Sequence, residues 1–286
     1  MIGSLAAQFP IRDLCEVLQV ASSGYYRSLR RVACARERSN QQLLEQIRQA
    51  HQEARQTYGS PRITHQLRRD NIQCSENRVA RLMRLHGIRA QQKRPFRPRT
   101  TDSRHTEAVA PNWLKQFPAP VAPDQVWTAD ITYIWTVAGW VYLAALMDLC
   151  SRKIVGWCIG QSLETNLVRE ALKQALLVRR PAPGLLHHSD RGTQYASSAF
   201  RALLLAHHIS PSMSAQGNCY DNAAMESFWS TLKSELIHRH RFTDLAQARL
   251  AIFDYIETFY NRQRLHSALG YQSPVEFEQQ LTYKKN

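Results

Sequence analysis

Apolar residues recur at helical spacing along the first third of the chain. From Pro10, the run Ile11, Leu14, Val17, Leu18 marks one face of a short helix, with proline in a first turn where its missing N–H costs nothing. Ser22 or Ser23 opens a second helix with Tyr25, Tyr26 and Leu29 as its packing face, and a longer helix is expected over 36–55. Ser60-Pro61 then starts a helix bearing Ile63 and Leu67. Ser75 caps another that carries Val79, Leu82 and Met83 and ends at Gly87. From Val126 the pattern shortens to β-rich runs. QVWTADITYIW, GWVYLAALMDL and RKIVGWCIG predict a three-stranded meander. A helix over 165–179, a strand LLHHSD, a helix after Ser197, a short strand near Ile209 and a helix from about Asp221 complete a mixed α/β layer fold.

Between these regions, Pro95, Pro98, Pro111, Pro118, Pro120 and Pro123 make up half of the 12 prolines and mark a linker. The expected organisation is an N-terminal helical module at 1–55, a helix-turn-helix-like module at 56–90, a basic proline-rich linker at 91–123, a catalytic core at 124–240 and a helical extension at 241–286. Charge sharpens the division. Residues 1–105 hold 20 Lys and Arg against 8 Asp and Glu, so they carry nearly all of the net +14. A basic part beside a near-neutral part is the electrostatic form of a polyanion-binding module joined to a separate domain. Arg78 and Arg81 on the helix after Ser75 match a recognition helix entering the major groove, although a helical hairpin with surface arginines has the same pattern. KRPFRPR fits either a DNA backbone contact or a solvated tether.

The six cysteines show neither C-x-x-C pairs nor the spacing of a disulfide scaffold, and they read as reduced thiols. No apolar run reaches the length of a bilayer span and no signal peptide opens the chain, so a cytoplasmic protein without membrane partners is expected.

Three acids stand out by position: Asp130 inside the first strand, Asp190 at the end of a later one, and Glu226 in the helix after SAQGNCYDN. Taken singly, each has a plain structural explanation. Convergent carboxylates repel one another, raising at least one pKa or leaving the group loosely arranged until a hard cation relieves them. Their local sequences, WTADITYI, HHSDRGTQY and DNAAMESFWSTLKSE, resemble the three catalytic segments of the DDE transposases related to retroviral integrases. The 35 residues between Asp190 and Glu226 resemble the spacing in bacterial insertion sequences built from two overlapping reading frames, of which this chain looks like the downstream, OrfB-type catalytic frame. GYY, TYGSPRI and YNRQRLHSALGYQSPVEF also resemble that family's pattern, so the likeness spans nearly the whole chain.

The resemblance implies a ribonuclease-H-like catalytic domain with a five-stranded mixed sheet, preceded by small all-α helix-turn-helix modules. It places Asp130 on the first strand, Asp190 after the fourth and Glu226 on a helix, together holding two Mg2+ ions that Mn2+ can replace. The implied reaction frees a 3′ hydroxyl at the element's end, and that hydroxyl attacks another phosphodiester; one end is first joined to its own flank, giving a circular intermediate. The implied partners are DNA ends and target, further copies of the chain, and an upstream-frame (OrfA-type) product as fusion or companion. Lys233, seven residues after Glu226 and so on the same helical face, is expected at a DNA phosphate, with Asn222 a weaker candidate. Gln194 and Tyr195, beside Gly192, and the pair Gly217 and Asn218 lie in loops suited to a close strand approach. Asp148 reads as the partner of Arg152 or Lys153, and His238-Arg239-His240 as exposed basic residues without a zinc set. For Tyr260, Asn261, Arg264, His266, Leu269, Gly270 and Tyr271, a structural cap beneath the glutamate helix is expected.

Overall fold

The computed structural model describes residues 2–29, 34–90, 110–214 and 222–283, so KRPFRPR, Gly217 and Asn218 lie outside the described residues. Three short helices come first: α1 (Ile2–Leu5), α2 (Ile11–Val17) and α3 (Ser22–Leu29). They are followed by α4 (Ala35–Glu53), α5 (Ser60–Arg69) and α6 (Glu76–Leu85). Pro61 sits in the first turn of α5, and the Ser75 hydroxyl accepts the Arg78 amide to cap α6. Gly87 closes α6 at φ +66°, a conformation glycine adopts without Cβ strain. Leu43, Ile47, Ile63, Leu67, Val79 and Leu82 are buried together, so α4 shares its core with α5 and α6.

The sheet is formed by β1 (Val126–Thr136), β2 (Gly139–Asp148), β3 (Ile154–Gly160), β4 (Leu186–Ser189) and β5 (Ser210–Met213). Its order is β3-β2-β1-β4-β5. The first three strands form the expected antiparallel meander, and β4 and β5 run parallel to β1. Parallel pairing requires crossovers, which α7 (Thr165–Arg179), the single turn α8 (Thr193–Ala196) and α9 (Ser198–Ala206) provide. On β2, Val141, Leu143, Ala145 and Met147 face one core while Ala144 and Leu146 face the other, which explains its near-continuous apolar run. One core lies under α7 and α9. The other lies under α10 (Ala223–Glu235) and α11 (Leu245–Phe253), followed by a π-helical stretch (Asp254–Tyr260) and α12 (Pro274–Tyr283).

This second core is continuous with the buried face of α4, α5 and α6, an arrangement the linker pattern does not suggest. The linker's final part is also structured. Pro111 accepts the Met213 amide, and the Ser212 hydroxyl receives the amides of Trp113 and Leu114. Among the described residues, no helix is long and apolar enough to cross a membrane.

Candidate active site

β1 places Asp130 in mid-strand, level with the end of β4, because Thr128 pairs with His188. Asp190 therefore emerges beside it, two residues further along the neighbouring strand. The fork of Asp130 is fixed by neutral donors, the Ile131 amide at 2.8 Å and the Trp229 indole N–H at 2.9 Å. Trp229 lies one helical turn beyond Glu226, so the same face of α10 delivers both residues to the strand. The Gly192 amide orients Asp190 at 3.0 Å, and a Cβ on Gly192 would itself lie 3.0 Å from that carboxylate.

Burial, and then the charge of Asp190, push the Asp130 carboxyl up to about 7; the two N–H donors oppose this and Glu226 adds to it. The three acids thus share one field. Among the described residues, no three His, Cys, Asp or Glu side chains form a closed cation-binding group, and Glu226 remains exposed. Mutually repelling carboxylates give this open arrangement. Their hard oxygens, one of them held in a raised-pKa environment, fit a divalent cation that would relieve the repulsion.

The other candidate residues separate by position. Lys233 is half-buried on the Glu226 face of α10; burial lowers its pKa and the Asp130 charge opposes that. Asn222 is not a surface group. Its side chain accepts the Thr128 hydroxyl at 2.5 Å and reaches the Ala129 carbonyl, tying the start of α10 to β1. Tyr195 is also inside, packed against Phe200 and His187, with no hydrogen-bond partner for its hydroxyl among the described residues and its pKa raised by burial and then by Asp130 and Asp190. Gln194 stays near the cleft but donates to the Leu163 carbonyl. Arg78 turns back onto α4, donating to Asn40 and Ser39, whereas Arg81 is half-buried on the same helix. The groove reading took both arginines as exposed on a short helix pair; the facing polar groups of α4 take the Arg78 guanidinium.

Among the described residues, the Asp148 carboxylate forms an ion pair with neither Arg152 nor Lys153. It accepts the amides of Asp124, Cys150 and Ser151 and the Ser151 hydroxyl, while Lys153 pairs with Glu278. One group escaped sequence reasoning. Trp229, which holds Asp130, was given no role, although its spacing from Glu226 was readable. Arg264 binds Glu235 at the end of α10 through two N–H donors at 2.9 and 2.7 Å. Tyr260 packs edge-on to Phe228 of the same helix, and Asn261 donates to and accepts from the Ile154 backbone. Residues 260–264 thus lie against the glutamate helix and β3.

Comparisons with known proteins agree with this architecture. The integrase core domain family matches residues 120–219 and a second integrase core domain pattern matches 207–274, while an HTH-like domain family matches 38–96. An insertion element IS600 31 kDa protein from Shigella sonnei is 44% identical over 93% of this chain and 97% of its own length. The transposase InsF for insertion sequence IS3A from Escherichia coli is 39% identical, with 95% of each chain covered. Among solved structures, the HTLV-2 integrase catalytic core domain in complex with magnesium is 14% identical, with a TM-score of 0.43 over 55% of this chain and 98% of that one.

Proposed function

The chain belongs to the insertion-sequence transposases of the DDE type, DNA-recombining polynucleotidyl transferases with an integrase core, and on that premise we propose that Asp130, Asp190 and Glu226 are its catalytic acids. The observation that supports the assignment is the shared field that pushes Asp130 up to about 7 beside Asp190 and Glu226. Two divalent cations, magnesium with manganese able to replace it, would be held by these oxygens and would stabilise the attacking and leaving oxygens of an in-line displacement. Trp229 and the Ile131 amide hold the Asp130 fork against the pull of a bound cation, and the Gly192 amide does the same for Asp190. Lys233, close enough to feel Asp130, takes a phosphate of the reacting strand. Residues 34–90 read the element end and residues 110–283 perform the chemistry. The reaction joins a 3′ oxygen to a new phosphodiester as another 3′ oxygen leaves. It needs two DNA ends together, hence more than one copy of the chain, and an upstream-frame product as fusion or companion.

The test is strand transfer on labelled element-end DNA with magnesium, comparing the natural chain, Glu226→Gln and an upstream-frame fusion. Joined product should form with the natural protein or the fusion and fall at least about a thousandfold on Glu226→Gln. End binding without joining in every form, with either metal, would make the chain a DNA-binding repressor instead.

A further inference from the structure

We infer that Gln263, Arg264 and Leu265 couple the DNA-reading module to the helix carrying Glu226, so that end DNA seated on the module sets the position of that acid. The inference rests on the catalytic assignment proposed above.

Its basis is that one tripeptide grips both sides. On the module side, the hydroxyl of Tyr58, between α4 and α5, accepts the Leu265 amide at 2.7 Å and donates to the Gln263 carbonyl at 3.3 Å. On the catalytic side, the intervening Arg264 clamps both carboxylate oxygens of Glu235, whose Oε2 also accepts the Tyr255 hydroxyl at 2.7 Å. Tyr58, Arg264 and Leu265 are 2, 5 and 0% exposed, so these bonds work without competing water. Glu235 and Glu226 belong to one helix, nine residues or about 13 Å apart, and a helix of that length moves as a unit.

Contacts at the rim point the same way. Arg55 forks onto Asp254 at 2.7 and 3.1 Å and lies 4.8 Å over the Phe259 ring. His65 of α5 stacks on Tyr271 at 3.6 Å, and Arg69 pairs with Glu276. Apolar surfaces alone would glue the two units in several registers. The buried Tyr58 hydroxyl, bonded to both an amide and a carbonyl of that tripeptide, tolerates one register, because any slip leaves a buried polar group unpaired. Residues 260–271 therefore act as a positioning plate between end recognition and chemistry.

The experiment uses the full chain with three readouts: affinity for end duplex, joining rate and cut position at saturating end DNA, and metal-dependent nicking of plasmid lacking the end sequence. Tyr58→Phe, which keeps the ring and removes the hydroxyl, should bind end duplex within about twofold of the natural chain but join about tenfold more slowly, with cuts spread to neighbouring phosphodiesters. Its nicking of end-free plasmid should be unchanged. Arg55→Asp and Asp254→Arg should each reproduce the defect, and the swapped pair together should restore rate and cut position. A natural joining rate and cut position in Tyr58→Phe, or loss of end-free nicking in parallel with joining, would overturn the coupling. Joining that survives Glu226→Gln would instead overturn the catalytic assignment, leaving the two failures distinct.

Discussion

Asp124 and Asp130 stand six residues apart, one just before β1 and one within it, and the fold treats their charges in opposite ways. Asp124 receives two N–H donors from Arg179 at 2.9 and 2.8 Å; Arg179 also pairs with Glu278, which in turn takes Lys153 and the Ser151 hydroxyl. Every acid in that group has a cation or a set of amides. Asp130 has an amide and an indole N–H, both uncharged, and the strongest charges in its field are other acids. The paired group fastens α12 and α7 to the base of the sheet. The convergent group leaves repulsion in place where the proposed reaction would need a cation, the kind of local cost that functional sites carry.

The contrast is broken most severely at the paired end. Arg179→Met would leave Asp124 and Glu278 mostly buried without their shared cation, at a cost of about 3 kcal/mol, read as a lower urea midpoint with unchanged slope. A loss under about 0.5 kcal/mol would mean that solvent already screens this group as it does a surface pair.

A smaller effect of opposite sign is expected at the convergent end. Burial and the Asp190 charge push the Asp130 carboxyl up to about 7 in the folded chain, against about 4 unfolded, so between those values the folded state holds the extra proton. Its contribution is therefore complete below about pH 4 and is lost as pH rises towards 7, amounting to about 2 kcal/mol after allowance for partial exposure. Metal-free protein should lose thermal stability over that interval, and Asp130→Asn should flatten the slope. An unchanged slope in the variant would show that the acids do not strain the fold. Smallest of all, Lys233→Ala should weaken end binding at low salt and reduce the slope of log K against log salt by about one. An unaltered slope would take Lys233 away from the phosphate.

Much of the catalytic half was legible because its signals are local. Short β-rich runs located β1, β2 and β3, Ser197 marked a helix start, and Asp190 and Glu226 came with their own flanking patterns. What stayed hidden depends on partners far along the chain. Arg264 meets Glu235 across 29 residues, Asn261 meets Ile154 across 107, and Leu265 meets Tyr58 across 207, so a motif could be read without a reason for it. Adjacency also misled. Tyr195 and Asn222 neighbour the acids in sequence, yet the turn α8 faces Tyr195 inward, and two polar groups on β1 hold Asn222. No local pattern announces the π-helical stretch before Tyr260, where the side-chain phase shifts relative to an α-helix.

The short segment 110–117 has a role beyond joining two parts of the chain. β5 is an outer strand of the sheet, and its outward Met213 amide is taken by Pro111 while Ser212 ties down the amides that follow. An outer strand with free amides invites pairing with a strand from another molecule, the first step towards aggregation. By occupying that edge, the segment keeps the sheet from extending between molecules. A shortened protein starting at Asp124 would bare the edge, whereas one starting at Ala110 would retain its guard.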